Sequence, residues 1–382
     1  MKSMSAQPDR RRSARAQPLR APVFPSAVQQ LTQRLPVKPG DGFVPLPPPA
    51  GPPPFRRRLT DVLDVRRTRA IRREGVVRFH SVGDTGGWRD DRPQSAVVDA
   101  MVQELDGPAR ADFLYHLGDV VYPHGEAAHY ASQFFAAYAP YAAPIFAVPG
   151  NHDGEVSRFT RAGGLEPFVK TFCSTALPLH EASAGASRPI VAQPNVYWTL
   201  VHDWLWIIGL YTNVPEGGQL AVDQLSWLVS ELRAAPAQAT VILAMHQPVF
   251  SADVVHGSNL ALGELLDACS HRAGRAPDAV FTGHAHNYQR FTRRRGGRAI
   301  PYIVAGGGGF HERHRLGAGL PALPATFAQL PDVTLEAQEC EAHGFMTVTA
   351  GRDGADVIYT AVADDGGRHE ADRFRIEPGR PA

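Results

Sequence analysis

Side chains that bind metal ions follow the ends of five hydrophobic runs, each beside a glycine or a proline. The five segments are Val82-Gly83-Asp84, Gly118-Asp119-Val120-Val121-Tyr122, Gly150-Asn151-His152-Asp153, Met245-His246-Gln247-Pro248 and Gly283-His284-Ala285-His286-Asn287-Tyr288. Carboxylate, amide, phenolate and imidazole groups suit hard and borderline metal ions. Two ions about 3.5 to 4 Å apart can neutralise a phosphoryl group, activate water and stabilise a leaving oxygen. The segments therefore predict a two-metal site that hydrolyses phosphate esters.

Regularly spaced strands are expected to position the first three segments. Strands and helices are predicted to alternate, at residues 76–82, 95–106, 113–117, 127–138 and 145–148. Asp84, Asp119 and Asn151 are separated by 35 and 32 residues, a spacing that fits repeated strand-helix-strand units. Because open α/β folds bind ligands at the carboxyl ends of their strands, these side chains are expected to meet at one sheet edge.

A second group of elements is predicted after an irregular stretch. Strands are expected at residues 196–200, 204–208, 240–245, 278–282, 302–305, 344–349 and 357–360, with helices at 221–232 and 261–270. The first two strands should form a hairpin and the last two an antiparallel pair. Two α/β halves would then contribute their strands to a β-sandwich.

The order and spacing of the ligands resemble the calcineurin-like metallophosphoesterases, specifically the purple acid phosphatase branch, over about residues 76–362. Tyr122, which follows Asp119 by three residues, marks the branch, because the wider superfamily has no tyrosine ligand there. Asp84-Thr85-Gly86 and His286-Asn287-Tyr288-Gln289-Arg290 also match that branch. The resemblance implies an α/β fold, a four-layer α/β/β/α sandwich of two mixed sheets flanked by helices.

The resemblance also implies a role for each ligand. One metal ion would be bound by Asp84, Tyr122 and His286, a second by Asn151, His246 and His284, and Asp119 would bridge the two. In that family the first ion is Fe³⁺ and the second is Fe²⁺, Zn²⁺ or Mn²⁺. The implied reaction is hydrolysis of phosphate monoesters, as in acid phosphatases, by a metal-bound hydroxide.

Two histidines outside the ligand set are predicted to act on the substrate. His152 would face the phosphate and protonate the leaving alkoxide as a general acid. His256, ten residues after His246, occupies the place of another phosphate-contacting histidine of the family. Asp153 has two interpretations, because it would either orient His152 or cap the following turn.

Other candidates have simpler interpretations. The glycines at residues 306–309 resemble a phosphate cradle, but their place at a strand end after His286 favours a tight turn near the metals. His311 and His314 are candidates to line the cleft, but their charged neighbours favour a solvent-exposed loop. His80 and His116 lie in buried strands and are expected to be core histidines.

Three other functions compete with monoester hydrolysis. The same motifs would serve a phosphodiesterase acting on cyclic nucleotides or nucleic-acid ends. A protein serine/threonine phosphatase is disfavoured, because Tyr122-Pro123-His124-Gly125 stands where that class has Asp-Arg-Gly. A metal-stabilised interaction scaffold is also disfavoured, since His152 and every metal ligand are retained.

Composition divides the chain of 382 residues, of which 43% are hydrophobic, into a basic beginning and an acidic remainder. We expect residues 1–58 to be a disordered, proline-rich basic tail, 59–75 a basic leading segment, and 76–376 the catalytic domain, with 154–194 as an irregular excursion. The arginines of the tail suit nucleic acid or another anionic partner, although a solvated extension is the simpler interpretation.

Features that would direct the chain to a membrane or an oxidising compartment are not found in the sequence. The apolar stretch of a signal peptide is missing near the basic start, and no run of about eighteen apolar residues occurs. The 3 cysteines are scattered, without the spacing of a disulfide framework or a metal finger. A cytoplasmic location is therefore expected.

Overall fold

The computed structural model describes residues 26–32, 46–108, 110–154, 165–174, 191–213 and 218–379. The strands in these residues, in chain order, are β1 (Arg56–Arg58), β2 (Val76–Val82), β3 (Phe113–His116), β4 (Ile145–Ala147), β5 (Trp198–His202), β6 (Leu205–Gly209), β7 (Thr240–Ala244), β8 (Ala279–Thr282), β9 (Tyr288–Arg295), β10 (Arg298–Ala305), β11 (Ala325–Phe327), β12 (Leu330–Glu339), β13 (His343–Gly351), β14 (Gly354–Val362) and β15 (Arg368–Ile376). They form two sheets, in each of which parallel and antiparallel neighbours are mixed.

The larger sheet has nine strands in the order β1-β5-β6-β7-β8-β10-β9-β12-β11, and the smaller has six in the order β15-β14-β13-β2-β3-β4. In the smaller sheet β2, β3 and β4 are parallel. In the larger sheet β6, β7, β8 and β10 are parallel. The carboxyl ends of these parallel strands supply the ligand segments.

The helices have recognisable start and stop signals. They are α1 (Ala27–Leu31), α2 (Val65–Glu74), α3 (Arg92–Leu105), α4 (Ala127–Tyr130), α5 (Asn151–Gly154), α6 (Glu166–Phe168), α7 (Val222–Ala234) and α8 (Leu260–Ala273). The Asp64 side chain caps α2, which ends at the left-handed Gly75. The predicted helix at 127–138 begins with α4 but continues as a π-helical turn over Ala131–Ala136.

Alternation along the strands creates four layers. Phe113 of β3 and Ile242 of β7 point between the sheets and belong to one buried apolar cluster. Their neighbours Leu114 and Leu243 point to the outer faces, where they share a second cluster with the helices, including Met101 of α3. The fold class predicted from the resemblance, two mixed sheets flanked by helices, is confirmed. The predicted antiparallel pairs β5 with β6 and β13 with β14 are confirmed as well.

Two segments of the predicted disordered tail are parts of the fold. Helix α1 begins with a capping box formed by Ser26 and Gln29, and its Ala27 and Leu31 are fully buried. Strand β1 pairs in parallel with β5. The prediction of disorder is therefore wrong for residues 26–32 and 46–58, because each buries side chains or completes a sheet. Residues 1–25 and 33–45 of the predicted tail lie outside the described residues.

Arg56, one of the arginines of the predicted tail, has a partner within the fold. Its guanidinium forms two hydrogen bonds of 2.8 and 2.9 Å with Glu231, which is fully buried in α7. The same carboxylate accepts a hydrogen bond from Thr199 Oγ1 at 2.7 Å. Removing one member of such a pair would leave a charge buried without compensation. Arg56 therefore attaches β1 to the helical layer.

Residues 166–173 of the predicted excursion are helical, and one face of them is buried. Helix α6 continues as a π-helical turn over Val169–Cys173, and Phe168 and Phe172 pack in the outer cluster. Residues 155–164 and 175–190 of the excursion lie outside the described residues. Among the described helices, none combines the length and apolar character needed to cross a membrane.

Replacing Leu31 with alanine tests whether α1 belongs to the fold. Because Leu31 is fully buried, Leu31→Ala is expected to lower the free energy of unfolding by about 2 to 5 kcal/mol. Leu323→Ala, at a position 36% exposed, is the matched control and should change stability much less. Urea unfolding followed by circular dichroism measures both. Equal stability of Leu31→Ala and the unchanged protein would contradict the docking of α1.

Candidate metal centre

Loops after five strands bring the predicted ligands to one place. Asp84, Asp119 and Asn151 follow β2, β3 and β4 of the smaller sheet, whereas His246 and His284 follow β7 and β8 of the larger sheet. The remaining two ligands lie close by in sequence: Tyr122 follows Asp119, and His286 precedes β9. The site therefore lies where the carboxyl ends of the parallel strands of both sheets meet.

Three of these residues have a backbone conformation that side chains rarely adopt. The φ angles of Asp84, Asp119 and His284 are 58°, 53° and 71°. A positive φ is unfavourable for residues with a Cβ, and such strain is concentrated at functional sites. Gly118 has a φ of 94°, and a Cβ there would lie 2.7 Å from the backbone nitrogen of Gly150. The strand ends are thus bent so that the ligands face each other.

Tyr122 lies at the centre of one group of donors. Its hydroxyl is 3.2 Å from Asp84 Oδ1, 3.2 Å from Asp119 Oδ2 and 3.4 Å from His286 Nε2. The ring nitrogen on the far side of His286 contacts the Glu312 carbonyl at 2.9 Å, which fixes the orientation of the ring.

His246 lies at the centre of a second group. Its Nε2 is 3.0 Å from Asn151 Oδ1, 3.2 Å from His284 Nδ1 and 3.2 Å from Asp119 Oδ2. Its Nδ1 contacts the Leu117 carbonyl at 2.9 Å. Asp119 Oδ2 therefore faces both groups, and all seven predicted ligands are brought together, although their roles stay predictions.

The electrostatics of the two carboxylates favour a cation. Burial and the neighbouring Asp119 raise the pKa of Asp84. Burial would also raise the pKa of Asp119, but His246 and His152 outweigh it and hold that pKa below its usual range. Burial would lower the pKa of His246, but the two carboxylates raise it to about 9. The proton on His246 thus compensates negative charge that a bound metal ion would neutralise better.

The donor set has the chemistry of a metal site. Asp119, His246 and His284 place ligand atoms within 4.8 Å of one another. Burial and the two carboxylates raise the pKa of Tyr122, so its phenol keeps its proton unless a strongly charged cation is beside it. Burial and the neighbouring histidines lower the pKa of His284 and His286, which leaves neutral rings that can bind metal.

His152 is held beside the donors without belonging to either group. Its backbone nitrogen donates to Asp119 Oδ1 at 2.8 Å, and its Nδ1 lies 2.6 Å from the Pro123 carbonyl. The ring lies 4.5 Å from the Tyr122 ring, centre to centre. The predicted position of His152 at the site is therefore observed, with Nδ1 as the nitrogen that orients the ring.

His256 lies beside the predicted ligand His284. Its ring centre is 4.0 Å from that of His284, and burial lowers its pKa to about 4.

His314, which we expected on an exposed loop, also lies at the site, because its ring stacks on that of His286 at 4.2 Å. Its side chain is only 11% exposed. The contact joins residues 28 positions apart through loop geometry, which no local pattern in the sequence indicates.

The remaining candidates have structural roles. Asp153 accepts hydrogen bonds from the backbone nitrogens of Val120 and Gly150 at 3.1 and 2.9 Å, so it stabilises the loops as a turn-capping carboxylate. His116 is fully buried and contacts Thr85 Oγ1 at 2.8 Å, as expected of a core histidine. Phe310 was missed by the sequence reasoning, although it packs 4.2 Å from the Tyr122 ring.

The family of the chain follows from comparison with known proteins. The model of the calcineurin-like phosphoesterase family matches residues 77–288, more than half of the chain. This chain therefore belongs to the calcineurin-like phosphoesterase family. The matched residues contain all seven predicted ligands.

Individual relatives are similar over shorter stretches. Purple acid phosphatase 21 of Arabidopsis thaliana is 34% identical over 97 residues, which cover 24% of this chain and 22% of that protein. The 3′,5′-cyclic adenosine monophosphate phosphodiesterase CpdA of Vibrio vulnificus is 29% identical over 156 residues, which cover 41% and 46%. The chain thus spans less than half the length of either relative.

A solved structure is similar over most of the chain. The protein described as GAP50, the anchor in the inner membrane complex of Plasmodium, has a TM-score of 0.55 and covers 80% of this chain and 89% of its own. Only 16% of the aligned residues are identical. The similarity therefore concerns the fold alone.

Replacing Asp119 with asparagine tests the metal centre directly. The change keeps the size of the side chain but removes the anionic oxygen that faces both donor groups. Elemental analysis is expected to give about two ions per chain for the unchanged protein and clearly fewer for Asp119→Asn. Asp90→Asn, which changes an aspartate outside the site, should keep the full content. Full metal content in Asp119→Asn would argue against a shared ligand.

Proposed function

We propose that this chain hydrolyses phosphate monoesters with the help of two bound cations. The observation that carries the proposal is the position of Asp119 Oδ2, 3.2 Å from both the Tyr122 hydroxyl and His246 Nε2. One carboxylate oxygen thus faces two separate groups of donors, as a bridging ligand must.

Each donor has a role in this proposal. Asp84, Tyr122 and His286 would hold one cation, Asn151, His246 and His284 the other, and Asp119 would contribute to both. Bound there, two cations supply charge that neutralises the phosphoryl oxygens and lowers the pKa of water. The protein contributes the positions of the ligands, the buried surroundings and the means to protonate the leaving group.

His152 is the proposed general acid. With its Nδ1–H donated to the Pro123 carbonyl, the ring is held so that Nε2 is the nitrogen that exchanges a proton with the substrate. When the ester bond to phosphorus breaks, the Nε2 proton passes to the departing alkoxide oxygen. The hydrogen bond from the His152 backbone to Asp119 keeps this acid beside the phosphoryl group.

The proposed identities of the metals rest on the resemblance to the purple acid phosphatases, and the chemistry of Tyr122 is compatible with them. Its phenol donates to two carboxylates and has a raised pKa, so a highly charged ion is needed to displace the proton. Fe³⁺ is the ion that the resemblance to purple acid phosphatases implies for this position, with Fe²⁺, Zn²⁺ or Mn²⁺ as its partner. Similarity to purple acid phosphatase 21 supports the assignment.

A visible spectrum tests the role of Tyr122. Protein loaded with iron is expected to be purple or pink because a phenolate transfers charge to Fe³⁺, and Tyr122→Phe should abolish the absorption band. Tyr130→Phe is the matched control, since Tyr130 is a buried tyrosine outside the donor groups. A colourless but fully active enzyme that contains only zinc or manganese would overturn the iron assignment.

Hydrolysis of cyclic nucleotides is the second candidate function. The similarity to a cyclic adenosine monophosphate phosphodiesterase favours it, and the same donors would serve a diester. The kcat/KM values for an aryl phosphate monoester and for 3′,5′-cyclic adenosine monophosphate decide between the two. A scaffold without activity would hydrolyse neither substrate when loaded with metal.

The general acid is tested through the leaving group. Because an alkoxide needs a proton more than a nitrophenolate does, His152→Ala is expected to lower kcat by about 10² to 10⁴ for an alkyl phosphate and by less for p-nitrophenyl phosphate. Metal content should be unchanged. His369→Ala, which removes an exposed histidine, is the control. An equal loss of kcat on both substrates would contradict proton donation by His152.

A further inference from the structure

Two loops meet at the wall of the metal centre that contains His256. An isolated antiparallel bridge pairs Asp253 with Leu316, and the backbone nitrogen of Val254 donates to the Arg315 carbonyl at 3.0 Å. These contacts place residues 252–257 against residues 314–317. The wall is therefore made of two segments that are distant in sequence.

Asp253 organises both segments from the interior. It is fully buried, and its Oδ1 accepts hydrogen bonds from the backbone nitrogens of Val255 and His256, both at 2.7 Å. Its Oδ2 accepts a hydrogen bond from Asn287 Nδ2 at 2.8 Å. The same Oδ1 lies 3.3 Å from His314 Nδ1.

His314 is oriented by this carboxylate. The backbone nitrogen of His286 also faces His314 Nδ1, but at the longer distance of 3.4 Å. We assign the proton to Nδ1, because the Asp253 carboxylate oxygen 3.3 Å away attracts a ring N–H, whereas the backbone N–H of His286 cannot accept one. Nε2 then has no protein partner among the described residues, and the side chain keeps 11% exposure.

The two histidines of the wall are adjacent. The ring centres of His256 and His314 are 5.3 Å apart, and each lies against a proposed metal ligand, His284 or His286. Neither ring is among the seven donors. Two imidazoles at this separation can contact different oxygens of one bound phosphoryl group.

We propose that His314 binds the substrate phosphoryl group beside His256, and that Asp253 is the positioning residue which orients His314. The proposal rests on the function proposed above and adds a third histidine to the substrate contacts of His152 and His256. Asp253 acts through the two rings that it holds and does not itself touch substrate.

Two histidines held in this way have a physical advantage over one histidine alone. Burial of Asp253 removes it from water, so its hydrogen bonds to Val255 and His256 and its attraction for His314 are not weakened by solvent. The rings are then fixed before the substrate arrives, and less conformational entropy is lost on binding. Helix α1 adds support from outside, because Gln30 Nε2 donates to the Val254 carbonyl at 2.8 Å.

The test measures binding of inorganic phosphate to the metal-loaded protein by isothermal titration calorimetry, together with KM and kcat on an aryl phosphate. His314→Ala is expected to weaken phosphate binding and raise KM about tenfold, which is the effect of losing one hydrogen bond to a charged group. Metal content should be unchanged and kcat less affected. His314→Gln should restore part of the affinity, because its amide can replace one ring nitrogen.

Two further variants separate position from charge. Arg315→Ala removes an exposed cation from the same segment and should bind phosphate as the unchanged protein does. Asp253→Asn should weaken phosphate binding, and combining it with His314→Ala should add less than the sum of the separate effects. If Asp253→Asn does not fold, the alanine and glutamine variants of His314 still test whether His314 binds phosphate.

The outcomes distinguish this inference from the proposed function. Unchanged phosphate affinity and KM in His314→Ala, in a protein that hydrolyses esters normally, would overturn the role of His314 alone. If the metal-loaded protein hydrolyses no phosphate ester but loses phosphate affinity in His314→Ala, the binding site stands and the proposed function fails.

Discussion

The burial of two carboxylates beside each other is the constraint on which the rest of this structure depends. Asp84 and Asp119 are 0% and 1% exposed, and an unpaired charge in such a place is strongly destabilising. Hydrogen bonds compensate part of it, from the backbone nitrogens of His284 and His152 and from the Tyr122 hydroxyl. The rest requires positive charge, which a proton on His246 supplies less fully than metal ions would. The site is thus organised by its need for positive charge as much as by its shape.

Meeting this constraint determines the geometry of the strand ends. Asp84, Asp119 and His284 turn back at positive φ, and a small residue stands beside each of them because a Cβ at Gly118 or Gly283 would collide with a neighbouring ligand loop. The strained backbone persists because the strands before it are buried and paired on both sides. The packed sheets therefore provide the rigidity, and the loops provide the chemistry.

Local signals in the sequence predicted strands β2 to β8, β10, β13 and β14 and the ligand segments, because each depends on a hydrophobic run followed by a turn. The described strands β1, β9, β11, β12 and β15 were not predicted. These local signals failed where contacts between segments that are distant in sequence determine the structure. Five residues of α1 are too few to show a helical period within a proline-rich stretch, and their burial depends on loops more than 200 residues away. His314 was assigned to an exposed loop for the same reason, since its place is set by Asp253 and His286. Asp253, three residues before His256, was a local signal that this loop is held in place, because its side chain accepts a hydrogen bond from the His256 backbone nitrogen.

The donors are divided between the two sheets. Asp84, Tyr122 and Asn151 come from loops of the smaller sheet, and the three histidine donors come from the larger. Each proposed cation would therefore join one sheet to the other. Free energy of cation binding would then also oppose the separation of the sheets, so the stability of the sandwich would depend on the concentration of free metal. Folding and metal supply become linked equilibria in a chain organised in this way.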